Sequence, residues 1–192
     1  MNAIIPCYEA LKRVVTVLCN HLKVGTLVNR VGRKLALSIP ETITLALFKQ
    51  QQGIPTKKAV WRLVEPDCSY KTLVVNVNRW AWIAALILKL LMAVNRGRAS
   101  PVKHIDSTDI PVCLFKNAHA HRTMRGLAAF GSSGKGVYFG LKLHLLTDLW
   151  QRFLSLRFTA ASEDGRSVVE DMAGNLSGLF FADAGYVSQP LA

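Results

Sequence analysis

Apolar residues recur at intervals of three and four through the first half of the chain. Leu11, Val14, Val15, Leu18 and Leu22 fall on one stripe, which predicts a helix with one face toward a core. A second helix is expected to start at Ser38-Ile39-Pro40-Glu41, where Ser38 and Glu41 have capping-box spacing and proline occupies the first turn, and to run to about Gln51. Gly53-Ile54-Pro55 breaks the pattern. Thr56 then caps a third helix whose apolar face is Ala59, Val60, Leu63 and Val64. The stretch from Trp80 to Val94 reads as a buried or bundle-forming helix.

The period changes after the Gly, Ser and Pro residues of Asn95 to Pro101, a short linker. Val102 to Val112 is compatible with a strand. From Val137 to Leu145 the chain alternates Val137, Phe139, Leu141, Leu143 and Leu145 with Tyr138, Gly140, Lys142 and His144, a period of two. Arg152 to Ala160 predicts another strand, antiparallel to the last because only the Asp148–Gln151 turn separates them. Ser162-Glu163-Asp164 introduces a helix to about Asn175, and Leu179 to Ala182 reads as a short strand buried on both faces. The expected order is strand, strand, strand, helix, strand, with Gly131 to Gly136 a flexible loop.

Charge sharpens this division. The chain has 192 residues, 51% hydrophobic, with a formal net charge of +12. Residues 1–103 carry 16 Lys and Arg against 4 Asp and Glu, whereas residues 104–192 carry 8 of each sign. A basic half suits a polyanion, since Lys and Arg that neutralise phosphates release counterions. Nucleic acid is the first candidate and an anionic membrane surface the second. Cys7, Cys19, Cys68 and Cys113 form no C-x-x-C pair, which argues against a zinc ribbon or a thioredoxin-type motif and for reduced, mostly buried thiols in a cytosolic protein. The N-terminus lacks the pattern of a signal peptide. Trp80 to Val94 is interrupted by Lys89 and falls short of the roughly 20 apolar residues of a membrane span, so no membrane partner is expected.

Two features carry chemistry. The helices on either side of Gly53 resemble a helix-turn-helix, with Lys57, Lys58 and Arg62 placed to meet DNA. Asp106 lies within the first strand, in "HIDSTDIPV", and Asp183 at the end of the last, in "FFADAGY". If those strands are neighbours the two carboxylates converge. Two unit negative charges about 4 Å apart repel by roughly 4 kcal/mol at an effective dielectric of 20, so a proton or a cation must intervene. Oxygen-only ligands favour Mg²⁺ or Mn²⁺ over zinc. His119 and His121 have no nearby carboxylate or cysteine and read as polar loop residues. "GSSGKG" lacks P-loop spacing.

The blocks "IDSTDIPV", "GVYFGLKLHLL" and "LFFADAGY" resemble, in order and spacing, those of DDE-type insertion-sequence transposases, over roughly residues 100–190. The resemblance implies an α/β chain, with a helical, basic region over 1–98 that binds DNA or assists dimerisation and an incomplete RNase H-like domain with a mixed sheet over 99–192. It further implies metal-dependent cleavage and strand transfer at transposon ends and target DNA. Asp106 and Asp183 match the family's first and second metal-binding aspartates, with Mg²⁺ or Mn²⁺ as cofactor, while Lys142 and His144 would contact DNA or line the site. The implied setting is the bacterial cytoplasm, at the nucleoid. Two departures stand out. Ala184 replaces the usual lysine, and no Glu follows Glu170 to supply the third acid. The expectation is therefore a truncated transposase, catalytically dead or very weak alone. The alternative is a non-catalytic DNA-binding protein that represses transposition.

Overall fold

A computed structural model describes residues 4–28, 35–183 and 186. The chain divides into two compact units, Met1–Leu90 and Leu91–Ala192.

The first unit is helical. α1 spans Ile4–His21, α2 Ile39–Gln51, α3 Lys57–Val64 and α4 Tyr70–Trp80, while α5, Trp82–Arg96, runs across the division. The caps follow the sequence. The Ser38 hydroxyl accepts from the Glu41 backbone N–H while the Glu41 carboxylate accepts from Ser38, and Thr56 accepts from the N–H of Ala59. Each satisfies an orphan donor of a first helical turn. One apolar cluster gathers Val15, Cys19, Ile43, Trp80 and Ile83; a second gathers Tyr8, Leu45, Phe48, Val60 and Leu73. Lys12 on α1 donates to Glu41 on α2. α4, capped by Ser69, goes beyond what periodicity outlined. The apolar stretch after it is only partly covered: Ile83 and Ile87 are buried, whereas Trp82, Leu86, Leu91 and Val94 are exposed. Among the described residues no single helix is long and apolar enough to cross a membrane, although α4 and α5 together form one pair of that length and composition, bent by 47°. Cys19 is buried, but Cys7, Cys68 and Cys113 are half-buried, more open than expected; all four are thiols.

The second unit is built on a five-stranded mixed sheet. β1 spans Val102–Pro111, β2 Ala129–Ser133, β3 Gly136–Asp148, β4 Phe153–Ala160 and β5 Leu179–Ala182. β3 pairs antiparallel with β1, β2 and β4, and β5 pairs parallel with β1. The path β4-β3-β1-β5, with a short helix before β5, is the mixed-sheet order expected of an RNase H-like domain. Gly140 lets β3 and β1 approach: a Cβ there would lie 2.2 Å from the Ile110 carbonyl oxygen. The covered face of the sheet carries Ile105, Leu146 and Leu154 against Val168, Met172 and Tyr186.

Three local expectations change. Part of the glycine-rich segment is strand β2, hairpinned onto β3 at Ser133 and Gly136, because five main-chain pairings hold a stretch whose side chains give little apolar signal. The helix after β4 is shorter than expected: a 3₁₀ turn, Gly165–Val168, capped by the Asp164 side chain, leads into α6, Val169–Ala173. β5 is not buried on both faces. It is an edge strand with β1 as its one sheet neighbour among the described residues, and Leu179 and Phe181 are 64% and 54% exposed.

The β3–β4 turn is organised by Asp148, whose side chain is 0% exposed. Its carboxylate accepts from the N–H groups of Ser100, Trp150 and Arg152 and from the Arg152 guanidinium at 2.9 and 2.6 Å. Burial alone would raise the carboxyl above its ordinary 3.8, but Arg152 and these N–H donors outweigh it and hold it below. The stability this contributes is present above pH 3.8 and is lost as pH falls through the lowered folded value. Arg152→Ala should therefore destabilise the second unit by about 2 kcal/mol, with acid unfolding displaced to higher pH, both read from urea midpoints across a pH series.

Candidate metal centre

β1 and β5 run parallel, with Val102 opposite Leu179, Lys103 opposite Phe180, His104 opposite Phe181 and Ile105 opposite Ala182. The register ends there, and Asp106 and Asp183 are the residues that follow its last pair. Paired strands lie about 4.8 Å apart, so the two aspartates follow directly on neighbouring backbones. Register partners share a face, and the preceding pair displays it: the rings of His104 and Phe181 stack with centroids 5.7 Å apart. Both aspartates are exposed. The Asp106 carboxylate accepts from the Ser107 N–H at 2.7 Å, and the Asp183 main-chain carbonyl accepts from the Tyr186 N–H at 2.9 Å.

Among the described residues no group of three or more His, Cys, Asp or Glu side chains is arranged to hold a metal. Asp106 and Asp183 offer two exposed carboxylates, and such oxygen donors, completed by water or phosphate oxygens, are of the kind that would suit a hard divalent cation such as Mg²⁺.

Of the two β3 residues expected to contact DNA or line the site, His144 is buried. It faces inward from β3 opposite Ser107 and is 0% exposed, because alternation puts it on the covered face of the sheet. Nδ1 lies 2.7 Å from the Tyr186 hydroxyl and Nε2 2.9 Å from the Thr159 hydroxyl. Burial pushes the imidazole below its ordinary 6.5, with Lys142 reinforcing the shift, Glu163 opposing it and Arg157 adding to it. Lys142, half-buried on the same face, donates to the Glu163 carbonyl at 3.1 Å. Tyr186 is the residue that sequence reasoning missed. Its signal was its place three residues after Asp183 in "FFADAGY", but only the tertiary structure brings it to His144.

In the first unit, Lys58 and Arg62 are exposed one helical turn apart on α3, whereas Lys57 is half-buried and donates to Asn78 on α4 at 2.8 Å. His119 and His121 lie in and just after a 3₁₀ turn, their rings against Phe130 and Phe139.

A family described as the transposase DDE domain matches residues 96–192, the stretch holding the whole sheet and both aspartates, and the chain belongs to it. No curated protein and no solved structure matches the chain.

The neutral state of His144 has a measurable consequence. A folded-state imidazole held below 6.5 favours folding most above that pH, and the contribution is lost as pH falls through the lowered value. Urea midpoints of the second unit should drop between about pH 7.5 and pH 5, and His144→Gln should flatten that slope.

Proposed function

We propose that the chain acts in DNA transposition, by metal-dependent phosphodiester cleavage and strand transfer, with Asp106 and Asp183 holding the divalent cation. The observation that supports this most is the parallel register of β1 and β5, whose last pair, Ile105 opposite Ala182, immediately precedes the two aspartates, both of them exposed. Mg²⁺ or Mn²⁺ bound there supplies Lewis acidity and the positive charge that a pair of carboxylates and a phosphodiester both require. The Ser107 N–H orients Asp106, and solvent exposure leaves room for a DNA strand to approach the pair.

The basic first half, where Lys58 and Arg62 project from α3 toward solvent, is assigned to binding transposon ends and target DNA through phosphates. Lys57 contributes less, since its ammonium is already engaged by Asn78. The family resemblance calls for a third acid, and no Glu follows Glu170 within these 192 residues. The chain on its own is therefore expected to bind DNA and metal but to nick slowly.

The experiment is a Mn²⁺ titration of the purified 192-residue chain beside Asp106→Ala and Asp183→Ala. Each substitution should weaken metal binding by about tenfold or more while low-salt DNA binding stays intact. Metal binding indifferent to both would refute the assignment and leave a DNA-binding protein without a catalytic centre. Substituting Lys58 and Arg62 together by Ala should weaken DNA binding by a similar factor across unrelated sequences and reduce the slope of log affinity against log salt by about 2. An unchanged slope in filter-binding assays would move the DNA surface elsewhere.

A further inference from the structure

The aspartate pair has only a short edge strand holding one of its members. β5 is four residues long and its partner among the described residues is β1. Edge positions of this kind open readily, and a loose ligand is a poor one. What ties the exit of β5 down is Tyr186, which is 6% exposed, packs in the cluster of Ile105, Leu154, Val168 and Met172, and donates its backbone N–H to the Asp183 carbonyl.

The Tyr186 hydroxyl lies 2.7 Å from His144 Nδ1, with the rings edge to face at 87°, and His144 Nε2 lies 2.9 Å from the Thr159 hydroxyl. His144 stands opposite Ser107, the neighbour of Asp106, in the β1–β3 pairing, and Tyr186 is three residues from Asp183. The bond between phenol and imidazole therefore anchors, next to the strand that carries Asp106, the residue whose backbone N–H holds the Asp183 carbonyl. Nearness shows electrostatically as well: burial first, with the charges of Asp106 and Asp183 adding to it, raises the phenol above its ordinary 10.0. The fold makes room for this ring. A Cβ on Gly165 would lie 2.8 Å from Tyr186 Cε1.

We propose that Tyr186 is a positioning residue that, through its side-chain hydrogen bond to His144 and its backbone hydrogen bond to the Asp183 carbonyl, holds Asp183 in place relative to Asp106 for a divalent cation. The proposal rests on the reading of that pair as the metal centre. It assigns no proton transfer to Tyr186, which works through the carboxylates.

The test uses Mn²⁺ alone as the probe and the purified 192-residue chain, with affinities from electron paramagnetic resonance titration. Tyr186→Phe keeps the ring and removes the hydroxyl, and should weaken Mn²⁺ binding by about tenfold. His144→Leu should do the same. His144→Gln, whose amide can accept from Tyr186 and donate to Thr159, should stay within about threefold of the native chain, a rescue that loss of packing would not give. Gly165→Ala, which displaces the ring without touching the hydrogen-bonding groups, should also weaken binding. Native affinity in Tyr186→Phe, alongside lost binding in Asp106→Asn and Asp183→Asn, would overturn the positioning role and leave the metal centre standing. Equal losses in His144→Gln and His144→Leu would overturn it too, by reducing the effect to packing. If Asp106→Asn and Asp183→Asn bind Mn²⁺ as the native chain does, the metal centre and the proposal fall together.

Discussion

The parallel pairing of β5 with β1 is the constraint on which the chemistry depends. It is bought with a crossover: the chain must leave β4, pass through the 3₁₀ turn and α6, and return beside β1 with Ala182 opposite Ile105. Because side chains alternate along a strand, a slip of one residue would send Asp183 to the covered face and leave Asp106 alone. The register is held on its apolar side by Ile105 and Phe180 in the same cluster, and on its open side by the stacked rings of His104 and Phe181. On the proposed reading, Coulomb repulsion between the two carboxylates opposes this pairing and is the unfavourable term that a divalent cation would relieve.

Charge is unevenly placed along the chain. All of the net positive charge lies before residue 104, and the residues from 104 on carry 8 basic and 8 acidic side chains, Asp106 and Asp183 among them. On the proposed reading the basic part would meet the polyanion and the aspartates the phosphodiester. The half-buried Lys142 is engaged by a backbone carbonyl.

Much of this was legible in the sequence where local rules decide. The Ser38–Glu41 capping box, the Thr56 cap, the alternation through β3 and the turn before β4 each follow from residues close together in the chain. The adjacency of the first and last strands was a condition in the sequence reading, implied by the family resemblance, and the structure shows it. What escaped depends on tertiary context. β2 is Ala-Phe-Gly-Ser-Ser, a stretch with too few apolar residues to alternate, and is held by its ladder to β3. Alternation placed Lys142 and His144 on one face but could not say that α6 and Tyr186 cover it, so the burial of the imidazole was not legible. The apolar β5 read as an interior strand because composition does not reveal that it lies at an edge. Tyr186 was invisible for the same reason: its hydrogen-bond partner His144 lies 42 positions earlier.

The most direct test of the account follows the imidazole signals of His144 by nuclear magnetic resonance while Mn²⁺ is added to the 192-residue chain. His144 is bonded to Tyr186, three residues from Asp183, and stands opposite Ser107, the neighbour of Asp106, so a paramagnetic ion held by Asp106 and Asp183 should broaden its ring resonances, and Asp183→Asn should abolish the broadening. Sharp His144 signals at saturating Mn²⁺, or broadening that survives in Asp183→Asn, would contradict it.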